Sequence, residues 1–231
     1  MTELTVLRVF VGPDGRGGNP LGVVLDGPAV PEARRQAVAA AVGFSETVFV
    51  DDPATGGIRI YTPAAELAFA GHPTVGTSWL LRRLGIGGDV LRPPAGEVVA
   101  WQDGELAWVR ARPSWIHPIE VVQHADAAAV EALPVEAGPT GSRYAWAWID
   151  EPAGLLRSRY FVPAFGIGED EATGAAAVRM GDLLGRDLDI RQGVASQLLV
   201  HRGPDGTVEV GGRVEPVETR ALPELPEPTA A

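Results

Sequence analysis

Mixed apolar and polar positions through LTVLRVF, followed by the more apolar PLGVVLDG, predict two strands joined by the Gly-rich segment GPDGRGGN. VPEARRQAVAAAVG then reads as a helix, with a Pro start, an Ala-rich body and a Gly stop. SETVFVDD, GIRIYTP and ELAFA supply three more short strands. AGHPTVGTSWLLRRLG has apolar residues at helical spacing, basic residues late and Gly85 as its stop, so a second helix follows. GEVVAW and ELAWVRAR flank Asp103-Gly104, a favoured hairpin turn. Beyond the Pro-containing ARPSWIHP, the strands IEVV, RYAWAWI and LLRSRYFVP enclose a short helix at DAAAVEAL. GEDEATGAAAVRMGDLLG matches the earlier apolar helix in layout. DIRQ, SQLLVHR and TVEVGGRVEPV close the pattern, with a hairpin at Asp205-Gly206.

The plan therefore occurs twice. Each half is strand-rich and holds one apolar helix that begins at small or hydroxyl residues, Pro73-Thr74-Val75-Gly76 in one and Ala172-Thr173-Gly174-Ala175 in the other, and ends at Gly85 or Gly185. A helix apolar on most of its circumference must be buried, most simply inside a curled sheet. ARPSWIHP is the natural boundary, giving domains at residues 1–115 and 116–221, with LPELPEPTAA (222–231) as a disordered tail.

Composition narrows the function. With 45% hydrophobic and 21% charged residues, the 231-residue chain can bury a core. A net charge of -11 argues against nucleic acid and anionic membrane as partners, since both need clustered Lys and Arg. The absence of cysteine removes disulfides, thiolate metal sites and cysteine nucleophiles. The start MTELTVLRVF lacks the features of a signal peptide, and no apolar run approaches a membrane span, so a soluble cytoplasmic protein is expected.

Three titratable residues stand at informative places. Glu46, in GFSETVFV, lies where a helix hands over to an apolar strand. The ordinary role there is a solvated turn carboxylate; the sharper one is a partly buried general acid and base. His72 precedes the first apolar helix, where a satisfied structural histidine is the common case. Asp170 precedes the second, where an N-cap is the common case. Helix starts leave free N–H groups and partial positive charge, and the small residues Gly71, Thr173, Gly174 and Ala175 would let a ligand carboxylate approach them. If the halves are related by a pseudo-twofold, the two helix starts could face one cleft. No HExxH, calcium loop, dinucleotide fingerprint, GK[ST] ending or Gly-x-Ser-x-Gly is present.

Taken in order, Gly18-Asn19-Pro20, Ser45-Glu46-Thr47, Ile60-Tyr61-Thr62-Pro63, Glu66-Leu67, Gly71-His72-Pro73-Thr74, Gly168-Glu169-Asp170, Ala172-Thr173-Gly174, Gln192-Gly193 and Gly211-Gly212-Arg213 make the chain resemble the PhzF-like isomerases of phenazine biosynthesis. The resemblance implies an α+β fold of diaminopimelate-epimerase type: two similar domains, each an antiparallel sheet or barrel wrapped around a central helix, with the active site between them. It implies a cofactor-independent isomerase in which Glu46 moves a proton between carbons of a small carboxylate. His72 and Asp170 would hold and steer, and Asn19, Gly71, Thr173, Gly174 and Ala175 would bind substrate. No metal, flavin or nicotinamide is implied, and a homodimer is. Epimerase and racemase relatives use a cysteine pair, which this chain lacks.

Two departures stand at the second helix start. Glu171 replaces the usual Pro and puts negative charge beside an anion site, and Ala175 replaces the usual Ser and removes one hydroxyl. Two other functions fit the same residues. One is a non-catalytic binding protein that keeps the cleft, and the other an amino-acid-type epimerase using Glu46 and Asp170 as opposed bases.

Overall fold

The computed structural model describes residues 2–135, 142–163 and 167–223. The first half runs β1 (Glu3–Val11), β2 (Gly17–Val24), α1 (Glu32–Val42), β3 (Glu46–Asp52), β4 (Gly57–Tyr61), β5 (Glu66–Leu67), α2 (Gly71–Leu84), β6 (Val90–Leu91), β7 (Val98–Asp103) and β8 (Leu106–Ala111). The second runs β9 (Glu120–Gln123), α3 (Ala127–Glu131), β10 (Arg143–Asp150), β11 (Leu155–Val162), β12 (Ile167–Asp170), α4 (Gly174–Leu184), β13 (Leu188–Gln192), β14 (Ser196–Arg202) and β15 (Val208–Ala221). The fold is α+β, and its halves repeat, as the pattern predicts. Gly43, Gly85 and Gly185 each end a helix in the left-handed conformation, as helix stops do.

The repeat extends to the pairing. β2 crosses over through α1 to the parallel β3, and β9 crosses over through α3 to the parallel β10. An antiparallel strand follows in each half, β4 or β11, then a two- to four-residue strand, β5 or β12, and then the central helix. After α4 the chain returns as β13, parallel to β11; after α2 it returns to β4 through a parallel bridge between Gly57 and Arg92. The sheet is therefore mixed, which departs from the antiparallel sheets expected above. The reason is chain length: a connection that includes a helix is long enough to bring the next strand back in the same direction.

β15 closes the structure. Its first part pairs with β8 and β14, and from Arg213 onward it runs along β1, so one strand joins both halves of the sheet. Every residue of α2 from Gly71 to Leu81 is buried, and α4 buries its Gly- and Ala-rich face. Leu7, Val75, Tyr144 and Met180, from both halves, share one core cluster. Leu222, first residue of the stretch read as a tail, donates its N–H to the Thr2 carbonyl at 3.1 Å and packs under α1; residues 224–231 lie outside the described residues.

Candidate active site

The close packing of two helix ends creates the site. A Cβ placed on Gly71 would lie 2.6 Å from the Cα and carbonyl carbon of Gly174, and one placed on Gly174 would lie 2.7 Å from the Gly71 Cα. The N-termini of α2 and α4 thus meet backbone to backbone, which only glycine at both positions permits. Beside this junction lies a pocket of about 510 Å³, its open mouth included, lined by Glu46, Asp170, Thr173 and Ala175 among others.

Glu46 begins β3, and one carboxyl oxygen lies 3.5 Å from Nδ1 of His72, in the first turn of α2. Asp170 ends β12 and does not cap α4: that helix starts at Gly174 after Thr173, and no side chain caps it. The Asp170 carboxylate accepts hydrogen bonds from Asn19 Nδ2 at 2.7 Å and from Thr173 Oγ1 at 2.5 Å. Asn19 also donates to the Ala172 carbonyl and accepts from Ser45 Oγ, so it ties β2 to the start of β3 and the turn before α4. It does not line the pocket; Gly71, Gly174 and His72 likewise stand behind the lining.

Glu171 is turned elsewhere. Its carboxylate accepts from the backbone N–H of Val194 at 2.9 and 3.0 Å and of Ala195 at 3.3 Å, and from Ser196 Oγ at 2.8 Å. Ser196 Oγ in turn accepts the Gly18 N–H at 2.8 Å. The extra charge expected beside an anion site instead holds the β13–β14 turn against the start of β2, and Glu171 is absent from the pocket lining.

Burial sets the protonation of the site. It pushes Glu46 up to about 8, with the negative charge of Asp170 adding to the effect and the Ser45 hydroxyl opposing it. It pushes Asp170 up to about 6 against the hydrogen bonds from Thr173 and Asn19, and drives His72 down to about 3. Near neutral pH the site thus holds a protonated Glu46, an ionised Asp170 and a neutral His72. The Glu46–His72 contact is one between neutral groups, and of the two carboxyls Glu46 is the one that keeps its proton.

This arrangement has a consequence for stability. Between the unfolded value of 4.5 and the folded value of about 8, the folded chain keeps the Glu46 proton that the unfolded chain has lost, so Glu46 makes stability fall as pH rises. Asp170 acts in the same direction between 3.8 and about 6, and His72 acts oppositely between about 3 and 6.5. Above pH 7 Glu46 alone of the three still titrates. Denaturant unfolding should show Glu46→Gln losing about 1 kcal/mol less stability than wild type between pH 7 and 8. Identical slopes would mean that Glu46 ionises normally.

Several lining residues were not singled out in the sequence: Thr62, Phe69, His117, Tyr160 and Val162. Thr62 stands in the quoted Ile60-Tyr61-Thr62-Pro63 stretch, which could have marked it. Among the described residues no group of three or more His, Cys, Asp or Glu side chains is placed to hold a metal ion, and no helix is long and apolar enough to cross a membrane.

Comparison with known proteins agrees with the fold. The profile described as phenazine biosynthesis-like protein matches residues 11–105 and 136–220. The trans-2,3-dihydro-3-hydroxyanthranilate isomerase of Pseudomonas fluorescens is 30% identical over an alignment 247 positions long, gaps included, covering 86% of this chain and 89% of that one. The crystal structure of a Bacillus anthracis phenazine biosynthesis protein of the PhzF family superposes with a TM-score of 0.76 at 20% identity, covering 95% of this chain and 98% of that one. A hydroxyproline epimerase from Agrobacterium vitis shares the fold more distantly, with a TM-score of 0.63 at 12% identity over 95% of this chain and 91% of that one. The chain belongs to the phenazine biosynthesis-like protein family and, like its full-length relatives, is an isomerase.

Proposed function

We propose that the protein is a cofactor-independent isomerase that moves a proton between two carbons of a small carboxylate, with Glu46 as the acid and base. The observation that carries this reading is the Glu46 carboxyl in the pocket wall, 14% exposed and 3.5 Å from Nδ1 of His72, where desolvation pushes it up to about 8. At pH 7 about a tenth of such a group is ionised and able to accept a proton while the rest can donate one, which suits both halves of a shuttle. Glu46 takes a proton at one carbon, returns one at the other and ends as it began, so substrate and product have the same composition. Neutral His72 buttresses the Glu46 carboxyl, and ionised Asp170 orients polar substrate groups. The free N–H groups at the α2 and α4 N-termini, beside Thr173 and Ala175, suit the substrate carboxylate.

The relative's substrate, trans-2,3-dihydro-3-hydroxyanthranilate, is the first compound to test. Incubation with the wild-type protein in deuterium oxide should convert it or place deuterium on carbon, read by NMR. Binding without exchange, for this compound and for a panel of related carboxylates, would instead mean a binding protein that has kept the cleft.

Ala175 offers a narrower check. It lines the pocket where a Ser hydroxyl could reach a carboxylate. Ala175→Ser should leave benzoate affinity unchanged or raise it up to about tenfold, the range of one hydrogen bond. A large loss in titration calorimetry would mean that the pocket has been reshaped for something bulkier.

A further inference from the structure

We propose that Tyr160 and His117 form a second polar end of the pocket, which binds an uncharged oxygen substituent of the substrate, a hydroxyl or a carbonyl. The inference rests on the reading of the substrate as a small carboxylate.

Tyr160 lies on β11 directly across from Asp170 on β12, and opposed residues of an antiparallel pair project from the same face. Both line the pocket, so Tyr160 stands next to the group proposed to orient substrate. The ring is 3% exposed and packs 5.8 Å from the ring of Tyr144, whose own hydroxyl is held by Ser158 at 2.8 Å. The Tyr160 hydroxyl is therefore rigidly placed. It lies 3.4 Å from Nε2 of His117, on the segment that crosses between the halves after the turn Pro113–Trp115, and it also hydrogen-bonds Ser142.

A tyrosine hydroxyl offers one donor and two acceptor sites, and these two partners use two of them. Among the described residues no third partner is seen, which leaves one for a ligand. Leu67, Phe69 and Val162 give the same pocket an apolar wall that suits a ring or a hydrocarbon frame. Burial raises Tyr160 to about 12 and partial desolvation at the rim lowers His117, so both are uncharged near neutral pH. An uncharged pair beside the Asp170 carboxylate favours a neutral oxygen over a second anionic group, which would meet like charge with no Lys or Arg among the described lining residues to offset it. Neither residue has a part in the proton transfer described above, so their presence in the lining calls for a role in selection.

Titration calorimetry with benzoate, 3-hydroxybenzoate, 4-hydroxybenzoate and terephthalate tests this. The better hydroxybenzoate should bind about three- to tenfold more tightly than benzoate, the worth of one hydrogen bond, and terephthalate more weakly than either. Tyr160→Phe keeps the ring and should erase the hydroxyl preference; His117→Asn, at the exposed rim, should reduce it. A preference that survives Tyr160→Phe overturns the subsite, as does equal binding of benzoate and both hydroxybenzoates. Both results leave the carboxylate reading intact. Terephthalate as the tightest ligand overturns the claim of an uncharged substituent. Binding of none of the four overturns the carboxylate reading and the subsite together.

Discussion

Glu46→Gln should bind the substrate nearly as well as wild type while losing deuterium exchange at the substrate carbon by about two orders of magnitude or more, the usual contribution of a general acid or base. Glutamine keeps the shape and hydrogen-bonding capacity of the side chain and removes only the dissociable proton. At near-neutral pH the wild-type group is already largely uncharged in the empty site, because burial and the Asp170 charge hold its proton on. The substitution therefore changes little of the ground-state electrostatics, and affinity should stay within about tenfold, or 1.4 kcal/mol. Exchange is read by NMR in deuterium oxide and affinity by calorimetry. Exchange at the wild-type rate would clear Glu46 and turn attention to Asp170, the other pocket carboxyl of raised pKa. Loss of binding together with exchange would mean that Glu46 holds substrate and does not shuttle a proton.

Gly71→Ala should lower both stability and activity. The backbone at Gly71 is ordinary helix, so alanine is not strained by its own dihedrals. Its Cβ would instead stand 2.6 Å from two backbone atoms of Gly174 and 3.0 Å from the Ala175 nitrogen. Backbone cannot rotate away as a side chain can, so the two helix ends must move apart. Overpacking of this kind costs about 1–3 kcal/mol, and in a chain of this size each kcal/mol moves the melting temperature by about 2–4 °C. A drop of roughly 2–12 °C in calorimetry is expected. His72 follows in the chain and faces Glu46, so the displacement should also cut exchange by about tenfold or more, in keeping with the cost of small misplacements at a reacting centre. An unchanged melting temperature with full exchange would mean that the helix ends do not meet.

The pattern of apolar residues was enough to place both central helices, their glycine stops and the duplication of the plan. These are local matters, decided by periodicity, by which face must leave water and by which residues tolerate a left-handed turn. The order of the motifs also carried Glu46, His72 and Asp170 to one family, and the fold brings Glu46 and Asp170 into the lining of one pocket with His72 against Glu46. The parallel pairings of β2 with β3 and β11 with β13 could not be read in the same way, nor could the sharing of β15 between the halves. Strand direction depends on where a distant segment lands, and residue order alone does not state it. The ordinary role of Asp170 by its position is a helix cap, and in the fold it is instead the acceptor for Asn19 and Thr173; Glu171 reads as a charge in the site and proves to hold a turn. Tyr160 and His117 enter the pocket only through cross-strand register and the path of the crossing segment. Residue types and local elements were thus determined by the sequence itself, because neighbours a few positions apart impose them. The protonation of Glu46 and the membership of the pocket were decided by tertiary structure, because desolvation and close approach are sums over residues far apart in the chain.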